Sequence, residues 1–124
     1  MKLVAAIAAV FLIGAAEPTP QQFGLRCELN ALGTTVHYSN RYSLDLNRGV
    51  WCGVSEETNT CHEDRTVPLV RVDAAELELL PAEFRNGLAR PAMVVNRTTG
   101  ILTSDLLTGP CTKVDFTPMP QARF

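Results

Sequence analysis

From Phe23 the chain alternates strictly, with Phe23, Leu25, Cys27 and Leu29 apolar and Gly24, Arg26 and Glu28 between them. A period of two over seven residues puts one set of side chains on each face of a half-buried strand. The same rhythm returns where Tyr42, Leu44 and Leu46 alternate with Arg41, Ser43 and Asp45. It returns again where Leu77 and Leu79 alternate with Glu76 and Glu78, and in the closing run 111–116. Short alternating runs of this kind exclude a helical bundle and leave an antiparallel β fold.

The turns between the runs are written in the same residues. The clearest hairpin is 92–107, where the apolar runs 93–95 and 101–102 flank Asn96-Arg97-Thr98-Thr99-Gly100. A polar segment closed by Gly is the pattern of a four- or five-residue hairpin loop. Asn47-Arg48-Gly49 predicts a second hairpin that returns through Val50-Trp51-Cys52, with Trp51 in the core. Asn30-Ala31-Leu32-Gly33 reads as a turn, 34–38 as the start of a further strand, and Ser39-Asn40 as an interruption or a bulge. A helix over 73–80 competes with a strand there, since Ala, Glu and Leu favour helix and Asp73 is a good cap. The run is too short before Pro81 and its neighbours are β, so strand is the reading for 76–80. Residues 81–91 read as a loop with at most one helical turn, Gly109-Pro110 as a break, and 117–124 as an extended or frayed tail.

The start of the chain sets the compartment. Lys2 precedes an apolar run, and Gly14-Ala15-Ala16 supplies the small residues a signal peptidase reads. The run 3–16 is 14 residues, short of the roughly 20 that span a bilayer. The expectation is a signal peptide over 1–16, cleaved after Ala16, an extended segment over 17–22, and one domain over 23–116. Localisation is then periplasmic or secreted, with no membrane span after cleavage. Four cysteines in an exported chain of this size predict two disulfides. Three pairings are possible, and the most economical joins Cys27 to Cys111 and Cys52 to Cys61. By loop entropy these would contribute about 4.5 and about 2.5 kcal/mol.

Loss of Lys2 with the leader leaves ten basic and thirteen acidic residues, a net charge of −3. The arginines are scattered singly, and no basic patch speaks for nucleic acid or an anionic membrane. Residues 53–64, GVSEETNTCHED, read as a polar, acidic surface excursion pinned by Cys52 and Cys61. Cys61-His62-Glu63-Asp64, with Cys52 nearby, offers ligand types for Zn²⁺ or Cu²⁺, but the spacing is no known metal signature and oxidised cysteines do not ligate. His37 alternates with Val36 and Tyr38 and belongs on the polar face of a strand. Ser39, Ser43, Ser55 and Ser104 lack a nucleophile turn. The carboxylates Glu56, Glu57, Glu63 and Asp64 share one exposed loop where nothing raises a pKa. Asn96-Arg97-Thr98 matches a glycosylation sequon and reads as turn chemistry. The expectation is therefore no catalytic residue, no cofactor and no metal, with a small hydrolase as the least favoured of three functional readings.

The opening Phe23-x-Leu25-x-Cys27, the Tyr42-x-Leu44-Asp45-Leu46 strand leading to Trp51-Cys52, and the Asn96-Arg97-x-Thr99-Gly100 hairpin together resemble small uncharacterised exported proteins of Gram-negative bacteria. That resemblance carries no activity. The cysteines near the first and last strands are also similar to those of periplasmic lysozyme inhibitors of the small β-barrel type. The chain lacks their Ser-Gly loop, so no site residue is carried over. The fold expected is all-β, a small antiparallel barrel or sandwich of about seven or eight strands after the signal helix. The function expected is a non-catalytic envelope or secreted binding module whose partner is another exported protein. The alternative is an inhibitor of a secreted hydrolase, with 53–60 inserted in the enzyme cleft.

Overall fold

The computed structural model describes residues 21–120; the signal peptide expected over 1–16 lies outside the described residues. In chain order the strands are β1 (Gln22–Ala31), β2 (His37–Asp45), β3 (Val50–Val54), β4 (Val67–Pro68), β5 (Arg71–Val72), β6 (Glu76–Leu80), β7 (Glu83–Arg85), β8 (Leu88–Arg90), β9 (Met93–Asn96), β10 (Ile101–Thr103) and β11 (Leu107–Val114). Nine of them form one antiparallel sheet in the order β4-β3-β2-β1-β11-β10-β9-β6-β5, while β7 and β8 pair only with each other. The sheet curls strongly into a half-barrel. First and last long strands are neighbours, and Cys27 stands directly opposite Cys111, to which it is bonded. Cys52 is bonded to Cys61.

The two edges of the sheet meet in a single stretch of chain. Val67 and Pro68 pair with β3, and Arg71 and Val72 pair with β6. Leu69 and Val70 cross between them, their amides donating to the carbonyls of Gly49 (2.8 Å) and Glu78 (2.9 Å). Trp51 spans the same seam from inside. Its Nε1–H donates to the Leu79 carbonyl at 3.0 Å, where the β6–β9 register shifts by one residue. A buried indole needs such an acceptor. Tyr42 packs edge-on to it at 5.9 Å. Leu25, Cys27, Leu29, Leu44, Leu77, Leu79, Val95 and Leu102 complete this inner core, as the alternation of their strands requires.

A second layer covers the outside of β2 and β3. Cys52, Val54, Cys61 and Met119 form a separate buried cluster, with Val50 and Phe116 against it. The segment 117–120 has no regular secondary structure, but it is docked. Ser43 Oγ donates to the Thr117 carbonyl at 2.7 Å and accepts from its amide at 3.1 Å. Arg48 donates to the Pro120 carbonyl. Asp45 lies beside this layer, 2% exposed, accepting from Gln22 Nε2 and the Arg48 amide.

Three local readings change. Gly109-Pro110 is no break: both lie within β11, opposite Leu102 and Ile101. The ladder to β1 is interrupted there, so Pro110 forfeits little, and a Cβ at Gly109 would collide with the Glu28 carbonyl. Only Gly lets the two backbones come this close. Ser39-Asn40 interrupts nothing, because both pair with β1 inside β2. Residues 81–91 hold a β-ribbon in place of the expected loop. Asn86 and Gly87 both take positive φ (53° and 76°), the two-residue turn that matches strand twist. The 92–107 hairpin is as read, with the Asn96 side chain accepting from the amides of Thr98 and Thr99. Residues 76–80 are strand, and Asp73 caps the turn before them by accepting from Ala75 and Glu76.

Candidate functional site

The thiols of Cys52 and Cys61 are spent on each other, so neither is a ligand. His62, Glu63 and Asp64 form a short turn with Glu63 and Asp64 at positive φ, and Glu63 turns to Arg65 at 3.4 Å. Among the described residues no three His, Cys, Asp or Glu side chains come together as a metal site.

His37 does meet an acid, on the open face of β1 and β2. Its Nε2 lies 2.9 Å from Glu28 Oε2 and its Nδ1 3.1 Å from Asn30 Oδ1. Ser39 Oγ donates to the other Glu28 oxygen at 3.1 Å. The bonds from His37 first, then Ser39, hold the Glu28 carboxyl below its usual range. The order of partners decides the chemistry. The hydroxyl donates its hydrogen bond to the carboxylate and not to the imidazole, so Ser39 is not paired with His37 as a serine nucleophile is with its base.

Residues 53–64 are the pinned surface excursion the sequence describes. Arg26 Nη1 holds Glu56 at 2.8 Å, Arg41 Nη1 approaches it at 3.7 Å, and Arg41 Nη2 donates to Asn59 at 2.7 Å. With its base closed by Cys52–Cys61, the loop is laced to the outer face of β1 and β2. It is not a free finger.

The projecting element is the ribbon. Every residue from 80 to 91 is exposed. Between the ribbon and the β10–β11 turn lies a cleft of about 440 Å³ with Leu80, Pro81, Met93, Leu106 and Leu107 in its walls. Its rim charges neutralise one another: Glu83 pairs with Arg85 at 2.9 Å and Arg90 with Asp105 at 3.7 Å. Leu106 in its wall is 64% exposed, and Leu88 on the ribbon is 66% exposed. Phe84, which alternates with the cleft-lining Glu83 and Arg85 and so lies on the ribbon's other face, is 75% exposed. The Leu32 amide donates to the Leu106 carbonyl, which brings exposed Leu32 to the same end. Exposed large apolar side chains on a projecting ribbon, with an apolar cleft at its base, mark an interaction surface. None of these residues was singled out in the sequence. The available signal was Asn86-Gly87, which announces a hairpin and so places Phe84 and Leu88 on a ribbon instead of in a core.

The two disulfides are compatible with an oxidising compartment. Among the described residues no helix is long and apolar enough to cross a membrane. Compared with protein-family models, with curated proteins and with solved structures, the chain has no match.

Proposed function

We propose that this protein is an exported, non-catalytic binding module of the envelope or the secreted fraction, and that it meets another exported protein with the β7–β8 ribbon and the cleft beneath it. The observation that carries the reading is the exposure of Phe84 and Leu88 on the projecting ribbon and of Leu106 on the wall of the apolar cleft at its base. Exposed aromatic and aliphatic anchors beside a pocket are what a partner's apolar side chains bury. Export rests on the leader over 1–16 and the paired cysteines. The finer reading of the fold, a closed small barrel, rests on the unbroken run 67–72 between the two edges.

A photoreactive phenylalanine analogue placed at Phe84 in cells tests the contact, with the same analogue at Tyr38, exposed on β2, as control. One discrete adduct from position 84 and none from 38 is the expected result. The same pattern from both positions would contradict the reading.

One observation favours a more specific partner, a secreted hydrolase. A two-stranded ribbon with an aromatic side chain is a shape that fills a cleft, whereas 53–60 is tied to its own sheet. The inhibitory device would then be 83–90. Lysozymes and secreted proteases inhibited by the native chain, and released by Phe84→Ser, would establish it; no inhibition across such a panel would remove it.

A further inference from the structure

The opposite mouth of the half-barrel is lined by two cations. Strands β6, β9 and β11 run there from the ribbon end, so that Leu77, Val95 and Lys113 lie at the far side from Leu80, Met93 and Leu107. A cavity of about 270 Å³ opens there, walled by Phe23, Leu25, Leu77, Val95 and the Cys111 end of the long disulfide, with Arg97 and Lys113 on its lining. Among the described residues no carboxylate lines it. Lys113 stands opposite Leu25 in the β1–β11 ladder, which puts it on the face of the sheet that the core uses. Its ammonium lies 5.3 Å from the centre of the Phe23 ring.

Charge pairing separates these two cations from the others. Among the described residues Arg26, Arg41, Arg65, Arg71, Arg85 and Arg90 each pair with a carboxylate. Arg48 is spent on the Pro120 carbonyl beside the Asp45 charge. Arg97 and Lys113 have no ion pair within 4 Å among these residues; Arg97 is held by one backbone bond, Nη1 to the Asp73 carbonyl at 2.8 Å, and the Asp73 charge acts on it only from a greater distance. The Asp73 carboxylate is engaged by Arg71 and by the amides of Ala75 and Glu76. The Arg97 fork is thus fixed in place with donors to spare.

We propose that this mouth binds a small amphiphile with an apolar body and one carboxylate, its head between Arg97 and Lys113 and its body against Phe23, Leu25 and Leu77. At roughly 30 Å³ for each water-sized group the cavity holds about nine of them, the size of a medium-chain acid. The site is separate from the ribbon and does not depend on the protein partner.

The test is calorimetric titration of the full chain with octanoate, 1-octanol and inorganic phosphate, with amide chemical shifts to locate each. Octanoate is expected to bind about tenfold more tightly than octanol, to move amides of 95–100 and 111–114, and to weaken as salt rises. Phosphate alone is expected not to bind. In Lys113→Gln octanoate loses part of its advantage over octanol, and in Arg97→Gln with Lys113→Gln it falls to the affinity of octanol; the single variant leaves the Asp73 carbonyl bond intact. Equal binding of octanoate and octanol by the native chain would overturn the proposal, as would phosphate binding as tightly as octanoate. Shifts confined to the ribbon end, or no octanoate binding at all, would overturn it too, and each of these leaves the ribbon reading to its own test.

Discussion

The half of the sheet made by β1, β2 and β3 is covered on its outer face as well as its inner one over 41–45 and 50–54, though open at Glu28, His37 and Ser39, and the half made by β6, β9 and β10 is covered on one face. Inside, the two halves share a leucine-rich core. Outside, Ser43, Asp45, Cys52 and Val54 are buried beneath the C-terminal segment and the disulfide loop, whereas Ile101 and Thr103 of β10 face solvent. Both cavities are walled mainly by the thinly covered half and β11, and the ribbon emerges from it between β6 and β9. The lesson is a division of labour. Stability is concentrated where two layers of packing and two disulfides meet, which leaves the other half able to present apolar and cationic groups that contribute little to the fold. Binding surfaces are drawn from the weakly held part of a structure for this reason.

The contrast breaks most clearly at Trp51. Trp51→Ala removes the largest core side chain and leaves the Leu79 carbonyl without its donor, and is expected to cost about 3–5 kcal/mol in denaturant unfolding. A loss below about 1 kcal/mol would show that the seam between the edges is not held by this residue. Ser43→Ala deletes both bonds to Thr117 and should cost about 1–3 kcal/mol. It should also make the chain after Phe116 the first site of proteolytic trimming, as release of the outer layer predicts.

Asp45 gives the same comparison a pH dependence. Burial raises its pKa, but the bonds from Gln22 and the Arg48 amide, with the Arg48 charge, outweigh burial and leave it below the ordinary value. A depressed carboxyl contributes stability above its unfolded pKa of about 3.9, and that contribution is lost as pH falls through the lower folded value. The native chain should therefore lose more stability than Asp45→Asn below about pH 4. Parallel acid limbs for the two would show that Asp45 is not held in this way. Smallest of all is the expected effect at the ribbon. Phe84→Ser with Leu88→Ser should change stability by no more than about 0.5 kcal/mol while abolishing the partner adduct. A large loss of stability would place these side chains in the fold instead of on the surface.

Much of the doubly covered half was legible in the residues. Alternation at 23–29 and 41–46 identified its strands, compartment and loop economy its disulfide partners, and Trp51 its core. The outer layer was not legible, because Thr117-Pro118-Met119-Pro120 has one large apolar residue and no period. It is buried through hydrogen bonds to a serine 74 residues away. Gly109-Pro110 misled because a proline inside a strand is tolerated only where the ladder is already interrupted, a fact of tertiary pairing. The candidate sites were the least legible. Phe84 and Leu88 sit in a run with no core pattern, and Arg97 and Lys113 are isolated in sequence until antiparallel pairing brings them to one mouth.

Native-state hydrogen exchange on the full chain tests the division most directly. Amides of β1, β2 and β3, and the Thr117 amide bonded to Ser43, are predicted to exchange only through global unfolding, while those of 83–90 exchange fastest among the strands. Ribbon amides as protected as those of β2 would contradict the account, since the ribbon would then belong to the packed fold and not to the surface offered to a partner.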